Sequence, residues 1–404
     1  DLSEIFDTIS AFVIFKYIYI CYYKIKTANI GYNNQNQKVN SLKFNQLKHV
    51  ILHFLNKVMK FSNQLTVWYL QNKRDLPWRA TKNPYYIWLS EIILQQTRVD
   101  QGMAYYFKFV EQFPTIFDLA AASEETILKL WQGLGYYSRA RNLHFSAKYV
   151  VNELQGEFPS TYKELLKLKG VGDYTASAIA SICFNEPTAV VDGNVYRVLS
   201  RYFGIDTPIN SSNGIKEFKL LAQELINIEI PGTHNQAVME FGATVCKPQN
   251  PDCNSCPLNN SCVALSKNNI KGLPVKEKKL KIRKRYFNYL VIQTNNNATQ
   301  LVKREKGIWL NMYQFPLVET EKPINQQELI EHKTFNELFD FNTITIKLHT
   351  EIVKPHKLSH QHIYAKFWII KTSNSLKFSH SWSDIKKYPV PVLIDNFLNE
   401  FNYN

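Results

Sequence analysis

The sequence has 404 residues, with 48 Lys and Arg against 34 Asp and Glu, which gives a formal net charge of +14. Its 45% hydrophobic and 14% aromatic content is enough to bury a core, and its length predicts two or three domains. This composition excludes a disordered tail protein, a collagen-like chain and a small disulfide-linked scaffold. The positive charge predicts a polyanionic partner, either nucleic acid or an acidic membrane surface.

The first 58 residues contain the one candidate membrane segment of the sequence, 9–23. It is shorter than the about 20 apolar residues that a spanning helix needs, and Lys16 interrupts it. No basic region precedes it and no small-residue cleavage site follows, so neither a membrane span nor a signal peptide is predicted. An organised pattern begins only at Phe61. We therefore predict that residues 1–58 are an extension translated from upstream sequence, with Met59 as the natural start.

Helical patterns dominate the middle of the chain, and together they predict an all-α domain over residues 59–270. Apolar residues recur there at helical spacing, in blocks that prolines separate, and no alternating strand pattern persists. The predicted helical blocks are 85–97, 104–112, 124–133, 139–153, 161–168, 174–184, 193–203, 215–227 and 234–245.

The strongest local signal is Gly170-Val171-Gly172, which stands between two of these helices. Two glycines in this spacing let the backbone turn tightly, and the amides at the start of the next helix can then face a phosphate. The pattern is typical of a helix-hairpin-helix DNA clamp. The alternative is an ordinary corner between two helices with glycine caps.

Two carboxylates are candidate catalytic groups. Glu91 lies in a strongly apolar helical segment, where burial would raise its pKa and let it hold a proton near neutral pH. The alternative is a glutamate in the first helical turn after a Ser90 cap. Asp192 follows an apolar run and precedes a glycine and a helix, a pattern that by itself favours an N-cap aspartate.

Four of the six cysteines cluster, separated by six, two and five residues; they are Cys246, Cys253, Cys256 and Cys262. Such a cluster in a long, cysteine-poor chain favours a metal or iron–sulfur site over disulfides, and predicts a reducing, intracellular compartment. Zinc ribbons use two close pairs with a longer gap between them. The spacing here therefore favours a [4Fe–4S] cluster over tetrahedral zinc.

Taken together, these segments resemble the adenine DNA glycosylases of the MutY family, within the endonuclease III superfamily. The resemblance spans residues 61–404 and rests on motifs in family order: LPWR (76–79), WLSEIILQQT (88–97), GLGYYSRARNLH (133–144), LKGVGDYTASAIAS (168–181), VDGNVYRVLSR (191–201) and the four cysteines. It implies a multidomain protein, with an all-α helix-hairpin-helix glycosylase domain that holds an iron–sulfur cluster and an α+β Nudix-like C-terminal domain. It also implies a bacterial, cytoplasmic, nucleoid-associated monomer that does not bind membranes and removes adenine mispaired with 8-oxoguanine or guanine in double-stranded DNA.

The resemblance also implies residue roles. Glu91 matches the acid that protonates adenine N7, and Asp192 matches the carboxylate that stabilises or transiently bonds the sugar C1′, as in glycoside hydrolysis. Tyr174 and Asn194 match residues that assist these two carboxylates. The adenine pocket is matched by Trp78, Arg79, Leu94 and Gln236. On the lesion side, Gln96 and Tyr136 match residues wedged into the base stack, and Thr97 matches one that contacts the damaged guanine.

Tyr174 separates two subfamilies within this resemblance. Bifunctional enzymes of the endonuclease III type carry a lysine at this position, whose amine forms a Schiff base with the sugar. Because tyrosine cannot form that bond, we expect hydrolysis without strong strand scission.

Residues 271–285 hold eight basic residues and one acidic residue, which is half of the net charge of the chain. They predict a linker, either simply solvated or lying along DNA phosphates. After it, strands are predicted at 286–294, 300–303 and 362–370. Their order resembles the Nudix-like domain of the family, here 286–404. No acidic Nudix box follows Gly307, so metal-dependent nucleotide hydrolysis is not expected.

The segment 356–362 resembles the loop by which the family detects 8-oxoguanine. Ser359 and His360 match its polar contacts, whereas Leu358 stands where many members carry Phe. A Ser-His pair taken singly is typical of any polar loop.

Three other classes of protein fit parts of this sequence. A bifunctional pyrimidine glycosylase/lyase is opposed by Tyr174 and by the extra domain. A zinc-stabilised DNA-binding protein with a degenerate Nudix module would be colourless, unlike an iron–sulfur protein. A zinc deaminase is opposed by motif order, because His349-Thr350-Glu351 lies after the cysteines.

Overall fold

A computed structural model describes residues 60–277, 282–339, 344–351, 354–373, 376 and 379–401. These residues form two compact units: the first contains 60–74 and 185–276, and the second contains 75–184 and the described residues from Glu277 onward. The predicted N-terminal extension lies outside the described residues. None of the described helices is both long enough and apolar enough to cross a membrane.

Helices form nearly all of the regular structure described before residue 267. In chain order the helices are α1 (60–72), α2 (Pro84–Leu94), α3 (Val99–Gln112), α4 (Ile116–Ala121), α5 (Glu124–Leu130), α6 (Ser138–Leu154), α7 (Tyr162–Leu165), α8 (Asp173–Phe184), α9 (Gly193–Phe203), α10 (Ser212–Leu225), α11 (Pro231–Thr244), α12 (Val263–Ser266), α13 (Gln326–Ile330), α14 (Lys333–Asn336) and α15 (Val392–Glu400). The predicted all-α character of this region is confirmed.

The predicted helical blocks match observed helices, with ends that differ by five residues at most. The helical period does not reveal α4, because six residues hold fewer than two turns. Its sequence signal is a capping box, in which Thr115 and Asp118 each bond the other's backbone amide.

The core of the first unit is aromatic and lies between α1, α9 and α11. Phe61 of α1 lies against Tyr202 and Phe203 at the end of α9, with ring centroids 4.8 and 5.7 Å away. Trp68, seven residues further along α1, meets Phe241 of α11 edge to face at 5.1 Å. Aromatic pairs of this kind add about 0.5–1.5 kcal/mol each to the burial term. The core therefore fixes α9 and α11, which carry predicted site residues.

The second unit combines α2–α8 with a mixed sheet near the C-terminal end of the chain. The strands are β1 (Arg283–Thr294), β2 (Ala298–Thr299), β3 (Val302–Lys303), β4 (Tyr313–Gln314), β5 (Leu317–Thr320), β6 (Ile344–Glu351), β7 (His356–Lys357), β8 (Gln361–Thr372) and β9 (His380–Ser381). The main sheet has the order β5–β1–β8–β6, with β7 also pairing with β8. Strands β1 and β8 run parallel, and the other pairs are antiparallel. The predicted α+β character of this region is confirmed.

The two faces of the main sheet pack into different cores, because successive side chains of a strand point to opposite faces. Leu290 and Ile292 of β1 join Trp368 of β8 in a small core beneath α13 and α14. On the other face Tyr289 stacks on Phe367 at 5.1 Å. That second core continues through α15 and into helices α2–α8. Within the second unit, sheet and helices therefore share one hydrophobic core.

Strand β1 begins at Arg283, three residues before the predicted start and inside the predicted linker. The Arg283 amide donates to the His360 carbonyl at 3.1 Å, and Arg285 donates two bonds of 2.6 Å to Glu319 on β5. Pairing with neighbouring strands thus outweighs the local charge that marks these residues as a linker. Strand β6 is not among the predicted strands, although the apolar residues Ile344, Ile346 and Leu348 alternate with polar ones along it.

Candidate functional site

Asp192 caps the start of α9. Its Oδ1 accepts hydrogen bonds of 2.8 Å from the backbone amides of Asn194 and Val195. Its Oδ2 accepts a bond of 2.7 Å from the side-chain amide of Asn194. Burial raises the pKa of Asp192, while these bonds and Arg197 act in the opposite direction. The N-cap interpretation is therefore confirmed, and the same bonds hold the carboxylate in one orientation.

Arg197 connects Asn194, which binds the Asp192 carboxylate, to the cysteine loop at Cys246. Its Nη2 donates to Asn194 Oδ1 at 2.9 Å and to the Gly242 carbonyl at 2.6 Å. Its Nε donates to the Cys246 carbonyl at 2.7 Å. A Cβ on Gly242 would come within 2.6 Å of the Asn194 Cβ, so only glycine fits there without displacement. Asn194 is thus held on two sides, with its amide nitrogen facing Asp192.

The four predicted cysteine ligands line one cavity of about 30 Å³ in the first unit. Its other walls are largely apolar and include Val198, Tyr202, Phe241, Val245, Leu258 and Leu265. Burial, and then the neighbouring thiols, raise the pKa of Cys256 to about 11. A bound cation reverses this effect, because it stabilises thiolates. The donor set fits a four-thiolate group, although no three His, Cys, Asp or Glu side chains among the described residues meet the geometry of a single-ion site.

Arg201 is the cationic neighbour of this cavity and is 3% exposed. Its Nη1 lies 3.5 Å from the Cys246 sulfur and donates to the Lys247 carbonyl at 2.7 Å. The guanidinium therefore fixes the start of the cysteine loop and places positive charge beside a thiol.

Gln236, a predicted adenine-pocket residue, lies on α11 beside α1. The Tyr69 hydroxyl donates to Gln236 Oε1 at 2.5 Å. One turn later on α11, the buried Glu240 accepts bonds of 2.7 and 2.8 Å from Arg74. The Arg74 side chain is 40% exposed, so solvent screens this pair and it stabilises the fold less than a fully buried ion pair would. These contacts fix the helix face from which Gln236 projects.

Glu91 lies in the third turn of α2. The N-cap of this helix is Asn83, whose side chain accepts a backbone amide, and Ser90 is buried inside the helix. The alternative of a first-turn glutamate after a Ser90 cap is therefore wrong. Cys183 of α8 is a neighbour of Glu91: burial, and then the Glu91 carboxylate, raise the pKa of its thiol to about 12.

Tyr174 lies in the first turn of α8, next to the end of α2. A hydrogen bond of 3.1 Å from Gln95 Nε2 to Thr175 Oγ1 joins these two helix ends. Leu94 is the last residue of α2, and α3 approaches it closely at Gly102, where a Cβ would lie 2.6 Å from the leucine side chain. The second unit thus gathers several predicted residues on the neighbouring helices α2 and α8.

Trp78 and Arg79 lie on a single 3₁₀ turn, Pro77–Arg79, directly before α2. The Trp78 ring is 7% exposed and meets Tyr106 of α3 edge to face at 5.2 Å. The LPWR motif is therefore anchored in the core of the second unit through its tryptophan.

The predicted hairpin turn stands between α7 and α8. Gly170 has φ +84°, and a Cβ there would lie 2.8 Å from the Asn142 side chain on α6, so the turn requires glycine. Val171 is buried between the two exposed glycines, Gly170 and Gly172. Ser146 of α6 donates to the Lys169 carbonyl at 2.9 Å. Helix α6 therefore braces a turn whose glycines face solvent, the form that a backbone clamp on phosphate requires.

The predicted lesion-side residues belong to three segments of the second unit. Gln96 and Tyr136 are both left-handed, with φ +56° and +47°. The Tyr136 ring is 48% exposed, and its hydroxyl hydrogen-bonds the Ser359 hydroxyl at 2.7 Å. His360 is exposed beside Ser359, and Leu358 packs partly buried against the large core. The shorter leucine thus still anchors this loop.

The predicted catalytic residues are divided between the two units: Asp192 and Asn194 belong to the first, and Glu91 and Tyr174 to the second. The four cysteines and Gln236 belong to the first unit, and the lesion-side residues to the second.

Sequence reasoning missed Arg139, which is 8% exposed at the start of α6. The signal was present in the helical period, because Arg139 falls on the same stripe as Leu143 and Val150, which are fully buried apolar residues. An arginine on an apolar stripe predicts a buried guanidinium with several partners.

Residues 89–223 match the HhH-GPD superfamily of base excision DNA repair proteins. The chain is 37% identical over 262 residues to the adenine DNA glycosylase of Buchnera aphidicola subsp. Schizaphis graminum, a match that covers 65% of this chain and 76% of that protein. It is 36% identical over 313 residues to the enzyme of the same name from Buchnera aphidicola subsp. Baizongia pistaciae, covering 77% of this chain and 86% of the relative. The human adenine DNA glycosylase is 47% identical over 217 residues, which are 52% of this chain and 40% of the human protein.

Among solved structures, a thermostable thymine-DNA glycosylase is similar to this chain with a TM-score of 0.50 and 31% identity. The match covers 53% of this chain and 99% of that protein. It supports the helix-hairpin-helix glycosylase fold of the helical region. Because two relatives above 30% identity are covered over more than two thirds of their length, the chain belongs to the adenine DNA glycosylase family of base excision repair enzymes.

Proposed function

We propose that this enzyme hydrolyses the N-glycosidic bond of adenine mispaired with 8-oxoguanine or guanine in duplex DNA. The observation that supports this specificity best is the 2.7 Å hydrogen bond between Tyr136 and Ser359, residues 223 positions apart. It joins the two segments that the family resemblance assigns to the lesion side, each from a different part of the second unit. A single surface that carries both an aromatic wedge and polar lesion contacts suits an enzyme that reads the base opposite adenine.

The proposed reaction begins with adenine out of the base stack, because a base inside a duplex cannot be reached. The family resemblance assigns contacts with the flipped base to Trp78, Arg79, Leu94 and Gln236. Glu91 would donate a proton to N7, which makes adenine a better leaving group.

Asp192 would then stabilise the positive charge that develops at the sugar, or bond C1′ transiently. The support for this role is its geometry: Oδ1 is used by the helix cap, and Oδ2 accepts a single bond from Asn194. A carboxylate held in this way needs no reorganisation when charge develops. Water would add at C1′, displacing any bond to Asp192 and losing a proton. Tyr174 would assist Glu91, and because it cannot form a Schiff base, the product would be an intact abasic strand.

We further propose that Cys246, Cys253, Cys256 and Cys262 hold a [4Fe–4S] cluster. The support is the convergence of four thiols on one largely apolar cavity next to Arg201. When bound, such a cluster would cross-link the cysteine loop, and its role here would be structural. The chain's own contribution is to supply four thiolates and to connect the Cys246 carbonyl to Arg197.

The proposed enzyme is a monomer that acts on duplex DNA in the bacterial cytoplasm, at the nucleoid. Its proposed domains are the glycosylase region 59–270, the basic linker 271–285 and the Nudix-like lesion-recognition region 286–404. Gly170, Val171 and Gly172 would bind a phosphate, and the linker would add a sequence-independent, salt-sensitive attraction to DNA.

The direct test is single-turnover release of adenine from duplexes that carry adenine opposite 8-oxoguanine, guanine, thymine or cytosine. We expect rapid release opposite 8-oxoguanine, slower release opposite guanine, and little release opposite thymine or cytosine. Borohydride should trap no covalent adduct. Equal rates with all four opposite bases, or strong trapping, would contradict the proposal.

The double variant Ser359→Ala/His360→Ala is expected to lose the preference for 8-oxoguanine over guanine. Each lost hydrogen bond costs roughly 1 kcal/mol or more, so the ratio of the two rates should fall at least about tenfold. Release opposite guanine should stay near the wild-type rate. Ser373→Ala, at an exposed serine directly after β8, is the matched control. A double variant that still discriminates as the wild type does would exclude this loop as the lesion reader.

The acid limb of the pH–rate profile should lie above the ordinary range of an aspartate. The pKa of Asp192 is raised by burial, and its proposed role needs the ionised form, so activity is present above that pKa and lost as the pH falls through it. Asn194→Ala removes a hydrogen bond that lowers this pKa, so the acid limb should move to higher pH. Asn213→Ala, an exposed residue of α10, should leave it in place. An unmoved acid limb in Asn194→Ala would show that another group controls it.

A further inference from the structure

Arg139 is a buried arginine at the start of α6 that the reaction described above does not use. Its side chain is 8% exposed, and its guanidinium carbon lies 5.1 Å from the ring centroid of Trp131 and 5.7 Å from that of Tyr136. Arginine is almost never buried to this extent unless its charge is paired or its donors are satisfied. The partners of Arg139 therefore reveal what this residue does.

Its hydrogen-bond partners are chiefly backbone carbonyls from two separate segments. Its Nη1 donates to three carbonyls at the end of α2, those of Ile92 (2.9 Å), Ile93 (2.9 Å) and Gln95 (2.6 Å). Its Nη2 donates to two carbonyls of the loop before α6, those of Leu134 (3.3 Å) and Gly135 (3.1 Å). The last carbonyls of a helix lack partners within that helix, and a cation there also complements the helix dipole. One guanidinium thus caps α2 and ties it to the loop.

Two of these carbonyls belong to peptide bonds that directly precede left-handed residues. The Gln95 carbonyl lies in the planar peptide that ends at the nitrogen of Gln96, and the Gly135 carbonyl in the one that ends at Tyr136. The φ angles of these two residues are +56° and +47°. The angle φ describes rotation about the N–Cα bond. A hydrogen bond to the carbonyl of the preceding peptide therefore restrains the peptide plane on one side of that bond.

Residues other than glycine rarely adopt the left-handed backbone region. Where they do, surrounding contacts enforce that conformation. Arg139 supplies such a contact to both residues at once. At the same time both side chains face solvent: Gln96 is exposed, and the Tyr136 ring is 48% exposed. The backbone is fixed while the side chains stay accessible to a ligand.

We propose that Arg139 is a positioning residue that sets the orientation and spacing of Gln96 and Tyr136 for insertion into the DNA beside the lesion. This inference rests on the proposed function, because it takes damaged duplex DNA as the ligand. A lysine cannot take over the role. Its single ammonium has three donors at one point, whereas the guanidinium spans carbonyls of two segments in a rigid plane.

The test compares Arg139→Lys with the wild-type full-length protein on one set of duplexes. A 2-aminopurine beside 8-oxoguanine reports unstacking by the wedge residues, and single-turnover adenine release reports chemistry. We expect Arg139→Lys to lose the fluorescence rise and to release adenine on the order of 100-fold more slowly, because small misplacements of positioning groups have effects of this size. Affinity for undamaged duplex should stay within about twofold, because phosphate contacts supply essentially all of the non-specific binding.

Val150→Ala is the matched control for a purely structural effect. Val150 is fully buried on the same helix, about three turns after Arg139, and makes none of the hydrogen bonds of Arg139, so its truncation should lower the melting temperature and leave those bonds in place. It should keep the fluorescence rise and the rate opposite 8-oxoguanine when both are measured below its melting temperature. If both variants lose them equally, Arg139 acts only through stability and the inference is overturned.

If Arg139→Lys does not fold, Arg139→Gln takes its place, because a neutral amide leaves no unpaired charge in the buried site. Retention of the wild-type fluorescence rise and rate by either folded variant would overturn the inference while leaving the proposed function intact. Absence of adenine release in the wild type would overturn the proposed function itself, so the two failures are distinguishable.

Discussion

Glu91→Gln is expected to bind duplexes with adenine opposite 8-oxoguanine at near wild-type affinity but to release adenine at least about 100-fold more slowly. Glutamine keeps the size and much of the hydrogen bonding of glutamate, but it cannot transfer a proton to the leaving base. The position of Glu91 in the third turn of α2, between the buried Ser90 and Ile92, supports this role over that of a helix cap. Single-turnover release and a gel-shift titration on the same duplex measure the two quantities separately.

Glu111→Gln is the matched control for this experiment. Glu111 is exposed on α3, and the substitution makes the same change in charge without approaching α2. It should leave both binding and release unchanged. Release near the wild-type rate in Glu91→Gln would remove Glu91 from the role of general acid, whereas loss of binding in that variant would assign it to substrate recognition instead.

Cys256→Ser is expected to abolish the brown colour of the purified protein and to lower the free energy of unfolding by several kcal/mol. In a metal-dependent loop the binding free energy of the metal group contributes directly to folding. Burial raises the pKa of the Cys253, Cys256 and Cys262 thiols, that of Cys256 to about 11, so a bound cation is needed to stabilise their thiolate forms. Iron and sulfide analysis should give about four of each per wild-type chain, and neither zinc nor a colourless protein is expected.

Cys183→Ser is the control for this second experiment. Cys183 lies on α8 in the second unit, where burial and the neighbouring Glu91 raise the pKa of its thiol. Its substitution should preserve colour and iron content. A wild-type protein that contains about one zinc and no iron would contradict the cluster and support the zinc-stabilised alternative.

The network around Asp192 suggests how loss of the cysteine loop would reach the reaction. Arg197 donates to the Cys246 carbonyl and to Asn194, and Asn194 in turn donates to Asp192. If the cysteine loop moved, the Arg197 guanidinium would lose its hydrogen bond to the Cys246 carbonyl. Cys256→Ser is therefore expected to slow adenine release as well, even in the fraction that remains folded.

Much of this protein could be predicted from its sequence alone. The helical period located most of the helices that the structure describes between residues 60 and 266, and the spacing of four cysteines identified residues that line one cavity. The Gly170–Gly172 signal predicted a tight turn between helices, and the observed φ of Gly170 confirms it. These features succeed because local backbone geometry and burial leave a periodic trace over a few residues.

Other features were decided only by tertiary structure. Strand β1 begins at Arg283 because strand partners override the local charge, and Ser90 turned out to lie inside a helix capped by Asn83. The hydrogen bond between Tyr136 and Ser359 joins residues far apart in the sequence. The five carbonyls that Arg139 binds are backbone groups. Residue spacing in the sequence predicts neither kind of contact.

The net charge of +14 likewise separates what the sequence determines from what the tertiary structure decides. The sequence determined that the partner is a polyanion and that half of the excess lies in 271–285, because charge is a property of composition. It did not reveal which cations matter to the site. Arg139, Arg197 and Arg201 are each nearly buried and bind carbonyls rather than solvent, and that depends on which segments the fold brings beside them. Composition fixes the class of ligand, whereas hydrogen bonds between distant segments fix the site, since they form only when packing has placed donor and acceptor together.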